Sequence, residues 1–177
     1  MRSRDQLAAR FEGLVERYGD RLLAYLLRRV PAEDAADVAA DTLMTAWRRV
    51  RVMPDDDEQA FWWLLSIGRR SAANHRRGIV RRTALGDRLR ALPTSAIAPA
   101  LDDTGLLIRQ LLDRLSDDDQ ELIRLVYWDD LPLRAAATVL GIGESAARKR
   151  LQRARDTLRV ALDGTPDEEM SRVPIRR

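Results

Sequence analysis

Residues 128–162 read WDDLPLRAAATVLGIGESAARKRLQRARDTLRVAL, and the fold is decided there. Leu133, Ala136, Ala137 and Leu140 recur at helical spacing, and a tight Gly141-Ile142-Gly143 turn follows. A second, longer segment puts Ala147, Leu151, Ala154 and Leu158 on one face, the period of an amphipathic helix. At about 100° per residue, Ser145, Lys149, Gln152 and Arg153 then point away from that face, with Arg148 and Arg150 flanking them. Two helices, a glycine-bearing turn and a basic second helix describe a helix-turn-helix, whose second helix enters the DNA major groove. Such a face reaches base edges with some side chains and phosphates with others. A solvated basic helix would share the charge, but not the short helix and turn before it.

Upstream, the chain is helical throughout. Leu7, Phe11, Leu14, Tyr18, Leu22 and Tyr25 alternate at spacings of four and three, predicting an amphipathic helix over 5–29. Pro31, Glu33 and Asp34 precede a second helix running to about Val50, with Val38, Leu43, Ala46, Trp47 and Val50 facing inward. Pro54 and the acids Asp55 to Glu58 mark a loop over 51–58. A third helix, from about Gln59 to Arg77, packs through Phe61, Leu64, Leu65, Gly68 and Ala72. The basic segment past Gly78 is helix-permissive. These elements form one domain over residues 1–92. Residues 93–103, PTSAIAPALDD, read as an interdomain linker. Residues 104–163 form a second domain, with Ser116 capping a helix whose first turn holds Asp117 to Asp119. The tail 164–177 is polar, holds two prolines and is expected to be disordered. No strand pattern persists, so the expected fold is all-α: two small helical domains joined by a flexible linker.

Composition narrows the function. No stretch is apolar enough to span a membrane, and the N-terminus lacks the apolar core of a signal peptide. There is no cysteine, and His75 is the single histidine. No nucleophile–base pair, phosphate loop or metal-ligand cluster occurs, so neither an enzyme nor a cofactor is expected, and a cytoplasmic location is. Net charge is only +3, yet of the 31 basic residues all but Lys149 are arginine. The plain reading of that bias is a GC-rich genome, which favours arginine codons, so position is more informative than number. Residues 69–90 hold eight arginines against one acid, and residues 144–160 hold six bases against two. Two basic segments in a nearly neutral chain read as two electrostatic footprints.

The first footprint lies in FWWLLSIGRRSAANHRRGIVRR, residues 61–82. Rings followed by a dense basic face suit single-stranded nucleic acid, stacked on aromatics and met at phosphate by arginine. Three consecutive aromatics sweep most of the way round a helix, so Phe61, Trp62 and Trp63 cannot all be core. His75 is expected to contact backbone or phosphate. In DAADVAADTLMTAW, residues 34–47, Asp34, Asp37 and Asp41 share one helical face. That face is a solvated stripe or a docking surface for a basic partner.

In this order the segments resemble the extracytoplasmic-function (ECF, group 4) RNA polymerase sigma factors of the sigma-70 family, over nearly all of residues 5–162. YGDRLLAYLLRRV (18–30) resembles sigma region 2.1, and AEDAADVAADTLMTAWRRV (32–50) resembles region 2.2. Residues 61–82 are similar to regions 2.3 and 2.4, and residues 115–162 to region 4. Leu140-Gly141-Ile142 followed by Arg150-Leu151-Gln152-Arg153-Ala154-Arg155 is the most specific part. The resemblance implies a promoter-specificity subunit that binds core RNA polymerase and promoter DNA. Asp34, Asp37 and Asp41 would dock on the basic β′ clamp helices, with the β subunit as a further contact. Ala40 stands where many members have glutamine. Trp62, Trp63, Arg69, Arg70, Asn74, His75, Arg76 and Arg77 would hold the opened −10 strand; Arg70 stands where many members have asparagine. Ser145, Arg148, Lys149, Arg150, Gln152 and Arg153 would read the −35 element. The loop 51–60 corresponds to the family's base-capturing loop, and its four acids are expected to repel DNA phosphate there. The linker would thread toward the polymerase active-site channel, and an anti-sigma factor is a possible further partner. The location implied is the cytoplasm, at the nucleoid when polymerase is bound. Competing readings are a stand-alone helix-turn-helix regulator and a sigma-like protein that binds polymerase without opening promoters.

Overall fold

The structure, a computed structural model, describes residues 3–89 and 110–163, with side-chain surroundings for 3–81 and 110–162. The chain divides into two compact units, Met1–Pro93 and Thr94–Arg177. Every described element is helical, and the linker 93–103 and tail 164–177 lie outside the described residues.

The first unit is built on three helices: α1 (Arg4–Leu27), α2 (Ala35–Arg48) and α3 (Asp57–Leu89). Short 3₁₀ turns at Ala32–Asp34 and Val50–Val52 make the connections. Helix α1 starts at a capping box: the Gln6 amide donates to the Ser3 hydroxyl, and the Ser3 amide donates to Gln6 Oε1. This answers two backbone amides that the first turn leaves unpaired. At the other end, buried Arg29 lies over the Tyr25 ring at 3.6 Å and donates to the Tyr25 carbonyl at 2.9 Å. The three helices pack on one another, and Leu22, Tyr25, Leu26, Val38, Thr42, Leu64 and Leu65 are almost fully buried between them. The threonine hydroxyl is not an orphan, because it donates to the Val38 carbonyl at 2.7 Å.

At Gly68 side chains of α1 and α2 lie close against α3. A Cβ there would sit 3.2 Å from Leu22 Cδ1, 3.6 Å from Thr42 Cγ2 and 3.7 Å from Tyr25 Cε1. Glycine at this position lets α3 approach both α1 and α2. Gly78 does a different thing. Helix α3 runs through it to Leu89, well past the end expected near Arg77. Nothing lies within 4 Å of a Cβ at Gly78. A glycine in open space costs a helix only about 1 kcal/mol, which the helix-forming residues on either side absorb.

The second unit contains α4 (Asp117–Tyr127), α5 (Leu133–Leu140) and α6 (Glu144–Asp163). Ser116 caps α4, accepting from the Asp119 amide, and the three aspartates occupy its positive end. Two left-handed residues shape the connections, Asp130 at φ 51° and Gly141 at φ 70°. Gly141 is the C-cap of α5, with its amide directed to Thr138 and that of Ile142 to Ala137. The short α5 is buried more widely than its spacing suggests, with Ala135, Ala136, Ala137 and Val139 all inside. It packs against both α4 and α6, so small side chains are needed around it. Leu111, from the segment before α4, closes the far end of the core with Leu158, Ala161 and Leu162.

Gly68→Leu should destabilise the protein by about 1–3 kcal/mol or more through overpacking, whereas Gly141→Ala should cost about 1 kcal/mol through its positive φ. Urea titrations followed by circular dichroism check both values.

Candidate nucleic-acid interface

In the second unit the basic helix is α6. Ala147, Leu151 and Ala154 are buried and Leu158 is half-buried. This inward stripe turns Ser145, Arg148, Lys149, Gln152 and Arg153 to solvent, all exposed, while Arg150 is half-buried. The cations differ in their commitments. Arg148 pairs with Glu144 at 2.9 Å, one turn back. Arg150 reaches Asp118 at the start of α4, at 3.4 Å. Gln152 donates to Asp156 at 3.0 Å. Lys149 and Arg153 have no hydrogen bond or ion pair within the described residues. The exposed pairs are worth at most about 1 kcal/mol, so an incoming phosphate can displace them. At the foot of this unit, Arg155 donates to the Tyr127 hydroxyl at 2.6 Å and packs over its ring.

In the first unit α3 carries both the aromatic run and the basic face. Phe61 and Trp62 are buried, and Trp63 is half-buried. The reason lies on α1: Tyr18 stacks on Phe61, with ring centroids 4.6 Å apart, and Arg21 lies over the Phe61 ring at 4.5 Å. That contact fixes the rotation of α3 and turns Trp62 inward. Trp62 is therefore packed into the core of this unit, whereas Trp63 is the ring with an accessible face. Arg70, Asn74, Arg76 and Arg77 are exposed and Arg69 is half-buried. Arg77 donates to Asn74. Arg70 and Arg76 have no bonded partner among the described residues.

His75 meets neither backbone nor solvent alone: its Nε2 lies 3.0 Å from Asp34 Oδ2, with both side chains partly buried. Asp34 belongs to the 3₁₀ turn before α2, not to the helix. Its carboxylate turns toward α3, whereas Asp37 and Asp41 are exposed on α2. The three aspartates thus do not form one equivalent stripe. Among the described residues no group of histidines and carboxylates could hold a metal ion, and no helix is long and apolar enough to cross a membrane.

Two residues that the sequence reading passed over complete the site. Arg10 and Arg17 project from α1 onto the acidic loop. Arg10 Nη2 donates to the Pro54 and Asp55 carbonyls at 2.8 and 3.1 Å, and its Nη1 lies 3.4 Å from Asp55 Oδ1. Arg17 pairs with Asp57. Asp56 accepts from the Gln59 amide at 2.9 Å and so caps α3. The acids expected to repel DNA are used at close range to fasten the loop and start a helix. A spacing of seven puts both arginines on one face of α1, and that was the available signal.

Comparison with known proteins agrees with this geometry. Residues 14–82 match the family model for Sigma-70 region 2, and residues 105–158 match that for Sigma-70, region 4. The chain is 30% identical over 161 residues to the ECF RNA polymerase sigma factor SigL of Mycobacterium tuberculosis, covering 88% of this chain and 90% of SigL. This chain belongs to the ECF family of RNA polymerase sigma factors. It is also 27% identical to the ECF sigma factor BldN of Streptomyces coelicolor, over 84% of this chain and 58% of BldN. Among solved structures it resembles RpoE of Bartonella quintana in complex with the anti-sigma factor NepR, with a TM-score of 0.59 and 25% identity over 88% of this chain and 98% of that one. CnrH in complex with the cytosolic domain of CnrY gives a TM-score of 0.56 at 28% identity, over 88% and 89% of the two chains. The first unit is sigma region 2 and the second is the helix-turn-helix of region 4. ECF sigma factors are transcription-initiation factors, not catalysts.

Trp62→Ala should cost about 3–5 kcal/mol of stability, as core aromatics do, and Trp63→Ala less than half as much. Urea denaturation of the full chain separates the two.

Proposed function

We propose that this sigma factor directs core RNA polymerase to promoters by reading a −35 element with α6 and holding the opened −10 strand with α3. One observation carries the reading: each unit leaves exposed cations without a partner among the described residues on its basic helix, Lys149 and Arg153 among them on α6 and Arg70 and Arg76 among them on α3. Isolated charges kept in water on a helix whose opposite face is core suit phosphate and base edges. Lysine and arginine also pair with guanine in the major groove. In region 4, Ser145, Arg148, Arg150 and Gln152 complete the −35 surface, the two arginines leaving their intra-unit carboxylates as DNA arrives. In region 2, Trp63 supplies a stacking face, and Arg69, Asn74 and Arg77 line the strand beside Arg70 and Arg76.

Polymerase docks through Asp37 and Asp41, exposed on α2 and free of ion pairs among the described residues. Their charge suits the basic clamp helices of β′. Asp34 assists from the turn before α2, where it also holds His75. The loop 51–56 contacts a −10 base, and its acids do not oppose this, since Arg10, Arg17 and the α3 amides answer them. The linker 93–103 passes toward the polymerase active-site channel. RpoE was solved with an anti-sigma factor, which supports a protein inhibitor for this chain also. On this reading the protein acts in the cytoplasm, at the nucleoid while bound to polymerase. A stand-alone regulator would need no second basic unit beside an acidic docking face.

The paired substitution Asp37→Arg/Asp41→Arg should abolish co-purification with core polymerase and leave the affinity of the full chain for −35 duplex unchanged; intact co-purification would contradict the docking surface. Lys149→Ala or Arg153→Ala should weaken −35 binding and, for a phosphate contact, lower the slope of log K against log salt by about one. An unchanged affinity and slope would remove that residue from the interface.

A further inference from the structure

Arg10 holds the backbone of the acidic loop, beside the Arg17–Asp57 pair at the start of α3. The loop's upstream anchor is the 3₁₀ turn Val50–Val52, packed on α1 through buried Val50, with buried Met53 next to it. Its downstream anchor is Asp56, bound to the first turn of α3. Between the anchors lie the Pro54 and Asp55 carbonyls. Both accept from Arg10 Nη2, whose side chain is only a quarter exposed, and the same guanidinium reaches the Asp55 carboxylate. A guanidinium presents its donors in a fixed plane. Two backbone acceptors on one nitrogen therefore fix the orientation of two successive peptide planes, which a surface charge pair would not do.

Other side chains of the loop are left in water. Arg51 is exposed, and Val52 is 69% exposed although Val50 and Met53 on either side of the pair are buried. An apolar side chain that exposed adds little to the core of the unit. It is available to a flat apolar partner, and an unstacked base is one.

We propose that Arg10 is a positioning residue for promoter choice: by holding the Pro54 and Asp55 carbonyls it sets the shape of loop 51–56, and with it the base accepted at one position of the −10 element. This rests on the reading of that loop as a base contact. Arg10 itself touches no DNA. It faces the back of the loop, so its effect is on preference among bases, not on affinity for polymerase or for the −35 element.

The test uses holoenzyme assembled from the full chain and core polymerase. The template is a promoter library with a −35 element selected by the unsubstituted protein and a randomised −10 region; sequences that yield run-off transcript are read out. Arg10→Ala is compared with the loop variant Arg51→Ala/Val52→Ala. Arg10→Ala should bind core normally and reduce base discrimination at one −10 position by about fivefold or more, the lower range for one base contact. The loop variant should affect that same position. If Arg10→Ala keeps the original preference while the loop variant changes it, the loop reads a base but Arg10 does not position it. If neither changes it, the loop is not a base reader and both ideas fall. A uniform loss at every −10 position would also overturn the proposal, because it would mean only a folding defect. Should Arg10→Ala melt early, Arg10→Gln, which keeps the aliphatic stem, is read in the same way.

Discussion

An arginine on a small helical unit is either answered by an oxygen of its own unit or left for something else. This chain has arginines of both kinds. Arg10 and Arg17 on α1 meet the loop before α3. Arg29 closes the end of α1 against Tyr25. Arg148 and Arg150 are lightly held by Glu144 and Asp118. Arg70 and Arg76 on α3 and Lys149 and Arg153 on α6 are exposed and have no partner among the described residues; on the proposed reading they are the ones that meet DNA. A net charge of +3 hides this completely. What matters is which cations the fold neutralises, and exposed pairs worth under about 1 kcal/mol are weak enough to be exchanged for phosphate.

The apolar packing sets which side chains are left over. In region 4 the small stripe Ala147, Leu151 and Ala154 fixes the rotation of α6. Buried alanines on α5 allow the two helices to meet closely, and Gly141 supplies the left-handed turn between them. In region 2, Gly68 permits close approach of α3 to α1 and α2, and the Tyr18–Phe61 stack fixes its rotation. Turning α3 by one residue would carry Trp62 into the half-buried position of Trp63, send Trp63 into the core and move the arginine face with them. Core and interface are thus two sides of one constraint on helix rotation.

Much of this was legible from periodicity. The inward positions Leu14, Leu22 and Tyr25 of α1, Phe61, Leu64, Leu65, Gly68 and Ala72 of α3, and the stripe of α6 are buried as their spacing implies. A 3.6-residue period reports one face of one helix, however, and says nothing of which neighbour lies against it. Two contacts that spacing did not yield join distant residues: Arg10 to Pro54, 44 positions apart, and His75 to Asp34, 41 apart. Choosing between Trp62 and Trp63 required the position of Tyr18. The acidic run looked hostile to DNA because its counter-ions sit on α1, far away in sequence.

The most direct test of the account is permanganate reactivity of promoter thymines, with core polymerase and the full chain added separately and together. The account predicts that −10 thymines become reactive only when both are present, and that Arg70→Ala/Arg76→Ala suppresses the reactivity while core binding persists. A holoenzyme that occupies promoters and leaves those thymines unreactive would contradict it.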